Sequence, residues 1–454
     1  MKVVKFGGSS LASGEQFKKV CSIIASDPER RLIVVSAPGK RTREDQKVTD
    51  LLIASAGNFL KNGKMDQTLY EEIVERYEEI ADCLGLDAEV MEEISIDFRE
   101  RIENRKLKAA QYLDLVKAGG EDNCARLLAA YLRQQGLDSS YQNPLGAGLY
   151  VSDEPGNAQV LDESYRNLAS LADREGISVF PGFFGYTRNG CVATFSRSGS
   201  DITGSILANA VRADLYENFT DVDAVYSVSP GTVDRPKEIS VLTYREMREL
   251  SYAGFSVLHD EALVPAFRAG IPVNIKNTNN PDSPGTLIVN SRKKTNGPVV
   301  GIASADGFCS IYVSKYLMNR ELGFGRRLLS ILEEFHLSYE HSPSGIDDIS
   351  VIIKQEGFSR ELEEAIINRI YDDLGADEVK VEKDISLIMI VGEGMRHNVG
   401  TTARASMALA KAGVNIEMIN QGSSEVSMMF GVKQLDEEKA VKFLYEEFFV
   451  SVPV

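Results

Sequence analysis

Residues 5–10 read Lys-Phe-Gly-Gly-Ser-Ser and lie between the apolar pair Val3-Val4 and an amphipathic run over 17–24. This order predicts a strand, a glycine turn and a helix. The two glycines let the backbone approach an anion closely, and the helix N-terminus offers free N–H groups to a phosphate. Lys5 adds a positive charge beside the turn. Because most glycine pairs between a strand and a helix are plain turns, a phosphate site needs support from other residues.

The chain up to about residue 290 alternates β-rich runs with helical periodicity, which predicts an α/β fold. Strands are predicted at Val3–Phe6, Leu32–Ser36, Gly148–Val151, Ser178–Phe180 and Pro272–Ile275. Helices are predicted at Gly14–Ala25, Val48–Phe59, Leu69–Leu84, Ala88–Lys106, Glu121–Gln135, Ser164–Glu175 and Ser200–Val211. We therefore expect a mostly parallel sheet sandwiched by helices, with its ligands at the carboxyl ends of the strands.

A break over 277–298, rich in Asn, Pro, Ser and Gly, predicts a last strand at Thr286–Val289 and then a linker. The remainder repeats itself. Strands at Phe308–Ser314, Asp348–Ile353, Ile385–Val391 and Glu425–Val432 alternate with helices at Gly325–Phe335, Arg360–Leu374, Gly400–Ala412 and Asp436–Glu447. This pattern indicates two βαββα-type units in tandem. Such small sheets leave exposed edges, so we expect pairing within or between chains, and a homodimer or higher oligomer.

Composition excludes several classes of protein. A chain of 454 residues with a formal charge of −17 predicts two or three domains and no surface for nucleic acid or an anionic membrane. No run of 18 apolar residues is present, which argues against a membrane span. The five cysteines are scattered and the four histidines lack ligand spacing, so we predict a cytoplasmic protein without a metal site of its own.

A second small-residue loop between a strand and a helix ends in Ser196-Arg197-Ser198-Gly199-Ser200-Asp201. Arg197 suits bidentate capture of a carboxylate. Ser200 or Asp201 could serve only as the N-cap of the helix that follows. Asp201 could instead orient Lys5 or help to hold Mg²⁺.

Three further places carry polar residues that admit two interpretations. Thr220-Asp221-Val222-Asp223 could be a metal site or a turn, and Tyr226 could stack on a base or pack in the core. Glu121 follows two glycines and is predicted to begin a helix, where it could complement the helix dipole or bind a substrate ammonium. Thr49 opens another helix, as a cap or as a substrate ligand. Together these cations, amides and acids match what phosphoryl transfer with Mg²⁺ requires.

The order of these segments resembles the aspartate kinases of the amino-acid kinase family over essentially the whole chain. The resemblance is carried by the segments at 5–10, 35–37 with Thr49, 120–121, 182–183, 197–201, 220–226 and 257–259, and by the doubled C-terminal unit, which resembles tandem ACT domains. It implies a kinase domain at 1–295 and ACT domains at 299–380 and 381–454. It also implies phosphorylation of the side-chain carboxylate of L-aspartate by ATP with Mg²⁺, the first step towards lysine, threonine and methionine.

By motif position, the resemblance also implies roles for individual residues. The ATP site would include Lys5, Gly7, Gly8, Ser9, Thr220, Asp221 and Tyr226. The aspartate site would include Thr49, Glu121, Phe183, Arg197, Ser198, Gly199 and Ser200. Lys5 would stabilise the transition state, and Asp201 would orient the cationic group of Lys5. The substrate carboxylate is itself the nucleophile, so no activating base is required.

The chain departs from the family pattern on the nucleotide side. Ser229-Pro230-Gly231 stands where relatives often have Asp-Pro-Arg, and Ser256 replaces a lysine that often precedes Val-Leu-His. Two expected cations are therefore missing. This leaves two alternatives open beside an aspartate kinase: a kinase-like amino-acid sensor with weak catalysis, and another amino-acid kinase, such as one acting on glutamate.

The ACT region implies feedback inhibition by an amino acid, with lysine preferred and threonine second. The effector residues implied by the family are Met318, Gly323, Phe324, Ser344, Asp347 and Asp348. Asp347 or Asp348 could pair with an effector ammonium. The alternative is a module that serves only dimerisation.

Overall fold

The computed structural model describes residues 1–196, 198–255, 260–292, 297–422 and 426–450. Contacts divide the chain into two units. The N-terminal unit comprises 1–225, 238–247 and 260–292. The C-terminal unit comprises 226–237, 248–255 and the described residues from 297 onward.

The elements up to residue 292 alternate between strands and helices. The strands are β1 (Lys2–Phe6), β2 (Arg30–Val35), β3 (Ser139–Tyr141), β4 (Ile177–Pro181), β5 (Phe184–Tyr186), β6 (Val192–Thr194), β7 (Leu215–Thr220), β8 (Val225–Tyr226), β9 (Glu238–Ile239), β10 (Val241–Thr243), β11 (Val273–Asn277) and β12 (Thr286–Val289). The helices are α1 (Gly14–Ala25), α2 (Val48–Asn62), α3 (Gln67–Leu84), α4 (Ala88–Ile102), α5 (Ala109–Gln134), α6 (Pro144–Ala147), α7 (Asp162–Leu168), α8 (Gly199–Ala210), α9 (Tyr244–Tyr252) and α10 (Val264–Ala269).

An eight-stranded sheet forms the centre of the N-terminal unit, in the order β10-β12-β11-β7-β1-β2-β4-β3. All neighbouring pairs are parallel except β11 with β12. Strands β1 and β2 are rich in apolar residues and almost wholly buried, as expected of central strands covered on both faces. The predicted α/β fold with a mostly parallel sheet is confirmed.

The parallel register brings the loops that follow four strands to one edge of the sheet. Phe6 of β1 lies between Val35 of β2 and Phe219 of β7, and Val35 pairs in turn with Pro181 of β4. After β1 the chain makes a short 3₁₀ turn over Gly8–Leu11 before α1 begins. This edge therefore gathers the glycine turn, the loop after β2, the Gly182-Phe183 loop and the end of β7.

The C-terminal unit contains one antiparallel sheet of six strands, in the order β14-β15-β13-β16-β18-β17. Its strands are β13 (Gly301–Ser314), β14 (Tyr339–His341), β15 (Asp348–Lys354), β16 (Glu378–Val391), β17 (Met418–Asn420) and β18 (Ser427–Lys433). Its helices are α11 (Phe324–Glu334), α12 (Arg360–Leu374), α13 (Thr401–Lys411) and α14 (Glu437–Tyr445). The strand–helix order occurs twice, as the repeat predicts.

The two repeats share their longest strands, which the sequence did not show. Strands β13 and β16 are each 14 residues long, whereas only 308–314 and 385–391 were predicted as strand. The additional residues of β13 pair with the other repeat: residues 301–305 of β13 lie opposite residues 387–391 of β16. Local patterns missed them because 304–306 and 382–384 are polar or small.

Two further predictions in the N-terminal unit were wrong. Glu121 does not begin a helix but lies inside α5, because Gly119 and Gly120 are helical residues that let α5 pack closely against its neighbours. No strand forms over 148–151. Gly148 instead ends α6 in a left-handed conformation, and only isolated bridges form at Tyr150 and Val151.

No helix within the described ranges combines the length and apolar character needed to cross a bilayer.

A matched pair of leucines tests the core of the C-terminal unit. Leu409 on α13 is fully buried among the apolar residues beneath β16 and β18, whereas Leu435 is 98% exposed. We expect Leu409→Ala to lower the free energy of unfolding by about 2–5 kcal/mol, because it removes buried methyl groups and leaves a cavity. Leu435→Ala should change it by less than about 0.5 kcal/mol. Urea denaturation followed by circular dichroism measures both, and equal effects would contradict this assignment of the core.

Candidate active site

A buried ion pair stands at the carboxyl end of the central strand. Lys5 on β1 is 7% exposed, and its Nζ lies 2.6 Å from Oδ1 of Asp201 in the first turn of α8. Asn218 of β7 pairs directly with Lys5 across the sheet, and its Nδ2 donates to the same Oδ1 at 2.7 Å. The ammonium and the carboxylate are therefore fixed in place. The structure thus brings together Lys5 and Asp201, as the sequence analysis expected.

The glycine turn wraps round this ammonium. A Cβ on Gly7 would stand 3.4 Å from Nζ of Lys5, and one on Gly8 would stand 2.9 Å from the carbonyl oxygen of Ala37. A side chain at Gly8 would displace its neighbour, whereas one at Gly7 would touch the ammonium at an ordinary contact distance. Ser9, the exposed residue of this turn, follows at the start of the 3₁₀ helix, where the first N–H groups have no partner within the helix. A lysine beside free N–H groups suits an anion such as a phosphate.

Glu121 is the most perturbed carboxyl group near the turn. It is 5% exposed, and one of its oxygens, Oε2, has no hydrogen-bond partner in the structure. Burial raises the pKa of Glu121 to about 8, although backbone N–H groups, including that of Ala37, and the nearby Lys117 act to lower it. A buried carboxylate with an unpaired oxygen is costly, so this oxygen is a candidate ligand for a cationic group.

The loop after β4 approaches the start of α8. Phe183 has a left-handed backbone (φ +77°), and its N–H donates to Oγ1 of Thr203 on α8. A Cβ on Gly199 would stand 2.5 Å from the Phe183 ring, and one on Gly182 would stand 2.6 Å from the side chain of Ser200. Ser198, also left-handed, precedes α8 as its N-cap without a side-chain capping bond. Glycine is therefore needed on both sides of this contact.

The remaining predicted residues are less closely tied to the ion pair. Thr49 lies in the first turn of α2 and is partly buried. Thr220 ends β7 and donates to Oδ1 of the exposed Asp221 at 3.2 Å. Tyr226 belongs to the C-terminal unit, unlike Thr220 and Asp221. Arg197, and the segment 256–259 that contains Ser256, lie outside the described residues.

The carboxylate of Asp223, which follows β7, is bound by side chains that are distant along the chain. Oδ1 of Asp223 accepts hydrogen bonds from the side-chain amides of Asn277 and Asn280. Among the described residues, no three His, Cys, Asp or Glu side chains are grouped closely enough to hold a metal ion.

Sequence reasoning missed Asn218 and Lys117. Asn218 is buried within β7, directly after the buried Glu217, and two adjacent polar residues between Tyr216 and Phe219 were a usable signal. Lys117 forms an ion pair with the buried Asp114 at 2.7 Å and lies 5.6 Å from the centre of the Phe183 ring. Nothing in the sequence near Lys117 indicated that contact, because Phe183 is far away along the chain.

In the C-terminal unit, the structure brings the two candidate effector segments together. The N–H of Leu317 donates to Oδ1 of Asp347, and the N–H of Asn319 donates to the carbonyl of Ile346. Met318, in a 3₁₀ turn over Met318–Arg320, and Phe324, the first residue of α11, are both buried. Gly323 is left-handed, Ser344 is exposed and Asp348 is partly buried.

Comparison with known proteins identifies the family. A model of the amino acid kinase family matches residues 1–277, and an ACT domain model matches residues 388–448. The chain is 65% identical over 452 residues to Aspartokinase 3 of Bacillus subtilis, covering 100% of this chain and 99% of that protein. The chain belongs to the aspartokinase family. It is therefore an aspartate kinase, a phosphotransferase with a carboxyl group as acceptor.

Solved structures agree with this assignment. The aspartate kinase of Clostridium acetobutylicum, described as an allosteric enzyme, is 40% identical with a TM-score of 0.87, and the match covers 99% of this chain and 100% of that one. Two structures of Escherichia coli aspartokinase III each cover 99% of this chain at 24% identity, which shows the fold alone. The first contains aspartate and ADP; its match covers 100% of the E. coli chain, with a TM-score of 0.75. The second contains lysine and aspartate; its match covers 99% of the E. coli chain, with a TM-score of 0.71.

Proposed function

We propose that the N-terminal unit transfers the γ-phosphoryl group of Mg-ATP to the β-carboxylate of L-aspartate at the edge of the sheet where Lys5 and Asp201 meet. The product is 4-phospho-L-aspartate, the start of lysine, threonine and methionine synthesis. The observation that carries this proposal is the buried ammonium of Lys5 beside the glycine turn, with the unpaired carboxylate oxygen of Glu121 close by. Ala37 links the two, since its carbonyl oxygen lies against Gly8 and its Cβ lies against Gly120, directly before Glu121.

On the phosphate side, Lys5, Gly7, Gly8 and Ser9 would hold the ATP phosphates. The ammonium of Lys5 would neutralise the phosphoryl group in the transition state, and Asp201 with Asn218 would keep that ammonium aimed. Thr220 and Asp221 would line the rest of the nucleotide site within this unit. Mg²⁺ bound with ATP would neutralise charge on the phosphates, and one or two carboxylates such as Asp201 would suffice to hold it.

On the aspartate side, Glu121 would pair with the α-ammonium group and Arg197 with the α-carboxylate. Thr49, Phe183, Ser198, Gly199 and Ser200 would complete the site. The β-carboxylate then attacks the phosphoryl group directly, so the protein need only position it and exclude water. Burial of Glu121 strengthens its interaction with an ammonium, because the pair is poorly screened.

For the C-terminal unit, we propose an allosteric role with lysine as the preferred effector and threonine second. The candidate ligands are Met318, Gly323, Phe324, Ser344, Asp347 and Asp348. Contact between the 317–319 and 346–347 segments supports a single site there. Inhibition requires the effector to favour an inactive arrangement over the active one.

The proposed organisation is a kinase domain at 1–295 followed by ACT domains at 299–380 and 381–454. Exposed apolar side chains at Tyr316, Leu322 and Ile346 support association of copies through the ACT region as a homodimer or larger assembly. All five cysteines are unpaired in the structure, which supports a cytoplasmic location.

Replacement of Lys5 tests the catalytic proposal. We expect Lys5→Met to lower aspartate-dependent ADP release by at least about 100-fold, because it removes the buried cation beside the transferring group. Lys18→Met is the control, since Lys18 is partly exposed on α1 and forms an ion pair with Glu15 of the same helix. Assays with glutamate in place of aspartate check the acceptor. Unchanged ADP release by Lys5→Met, or equal rates with both acceptors, would overturn the proposal.

The raised pKa of Glu121 makes aspartate binding depend on pH. Below about pH 8 the free carboxyl group is protonated and neutral, so it cannot pair with an ammonium group. We expect the KM for aspartate to fall by about an order of magnitude from pH 6.5 to pH 8 and then to level off. Glu121→Gln should raise this KM and remove the pH dependence. A KM for wild-type enzyme that stays constant over this range would contradict the role given to Glu121.

Calorimetry tests the effector proposal. We expect lysine to bind the full-length protein and to inhibit aspartate-dependent ADP release, with weaker or no binding of threonine. Asp347→Asn should weaken lysine binding because it removes a negative charge, while the exposed Asp372→Asn should not. If neither amino acid gives a binding signal, the ACT region does not bind these effectors.

A further inference from the structure

One loop contacts both halves of the proposed active site. The segment 36–47 leaves the carboxyl end of β2 and returns to the start of α2. Within it, the N–H of Gly39 donates to the carbonyl of Gly8 at 2.8 Å. Ala37 packs against Gly120, directly before Glu121, since a Cβ on Gly120 would stand 2.8 Å from Cβ of Ala37, and the backbone of Ala37 acts to lower the pKa of Glu121. The loop therefore sets the position of the glycine turn and of the carboxyl group proposed to bind the substrate ammonium.

A buried arginine from α3 holds both ends of this loop. Arg76 is 4% exposed, and its Nη2 donates to the carbonyl of Gly39 at 2.7 Å. Its Nη1 donates to the carbonyl of Gln46 at 2.9 Å and lies 3.1 Å from Oδ2 of Asp45. A single guanidinium group thus joins the first and last parts of the loop.

A guanidinium group suits the two separated carbonyls of Gly39 and Gln46. Its planar group presents several N–H donors in fixed directions, whereas a lysine is a point charge that cannot reach two separated carbonyls with the same rigidity. Gly39 has no spare room, since a Cβ there would stand 2.6 Å from the carbonyl carbon of Gly8. A small shift of the loop would therefore displace the glycine turn.

We propose that Arg76 is a positioning residue for the kinase reaction, which acts by fixing the 36–47 loop against the glycine turn and against Glu121. Gly39, Gln46 and Asp45, which Arg76 binds, are not among the residues proposed to bind ATP or aspartate. The inference rests on the proposed positions of ATP and aspartate, and it predicts that both substrates are affected when Arg76 is replaced.

The experiment compares two buried arginines of the N-terminal unit. Arg30 is also buried and binds the carbonyl of Ile23 and the carboxylate of Glu217, but it begins β2 at the opposite end of the strand. Arg76→Met and Arg30→Met are purified as full-length proteins. Thermal unfolding, kcat and the KM values for ATP and aspartate are then measured for each.

We expect Arg76→Met to raise both KM values and to lower kcat/KM by about 10- to 100-fold, because a misplaced loop loses alignment of both substrates. Arg30→Met should lower the unfolding temperature but leave both KM values unchanged. A loss of folding alone reduces the fraction of active enzyme, which lowers kcat without changing KM. Unchanged KM values in folded Arg76→Met would overturn the inference.

Two further measurements keep the test decisive. Arg76→Lys retains the charge but not the two-carbonyl contact, so we expect a loss close to that of Arg76→Met, and full activity would overturn the inference. This variant also carries the test if Arg76→Met does not fold.

Arg76 borders a cavity of about 420 Å³ with Arg41, Asp45 and Glu79. We therefore expect millimolar guanidinium to restore part of the activity of Arg76→Ala, but none of the activity of Arg30→Met. Absence of rescue would count against the role given to Arg76.

The wild-type control separates this inference from the proposed function. If wild-type enzyme shows no aspartate-dependent ADP release, the proposed function fails. If wild-type enzyme is active and Arg76→Met matches it, only the role of Arg76 fails.

Discussion

The buried ion pair between Lys5 and Asp201 is the constraint around which the N-terminal unit is arranged. Removing two charges from water is costly, and close geometry with further hydrogen bonds is needed to offset that cost. Here Asn218 supplies the additional bond from the neighbouring strand. The pair therefore requires β1, β7 and α8 to meet at fixed distances. The same arrangement holds the ammonium of Lys5 beside the glycine turn.

Support for this centre comes from elements that contribute no proposed ligand. Helix α3 contributes Arg76 to the loop after β2, and the next residue, Tyr77, donates its hydroxyl hydrogen to the carbonyl of Gly120 at 2.7 Å. Gly120 directly precedes Glu121. Adjacent residues of one helix thus fix the loop beside the glycine turn and the helix that carries the perturbed carboxyl group. Positioning is the main contribution that a protein makes to phosphoryl transfer, so such contacts matter as much as the ligands.

The sequence predicted the α/β class of the N-terminal unit because the signals for that class are local, but it missed β3, β7 and β10 of the eight-stranded sheet. Alternation of apolar strands with amphipathic helices indicated the parallel sheet, and glycine after β1 indicated the turn. Helix α5 was mispredicted because glycine usually ends a helix, yet Gly119 and Gly120 lie within one where close packing demands them. The shared strands β13 and β16 were underestimated because their polar middle residues are held in the strand by pairing between repeats, which is not a local property.

The sequence by itself determined the family and the alternation of strands with helices, and it proposed candidate ligands, since the residues at 5–9, 121 and 201 are set by motif. Only the tertiary structure decided how these residues act on one another. It placed Asn218 against the ion pair, left one oxygen of Glu121 unpaired and brought Arg76 to the loop after β2. The physical reason is that burial, charge and hydrogen bonding depend on distances between residues far apart in the chain, and the packing of the sheet and helices alone fixes those distances.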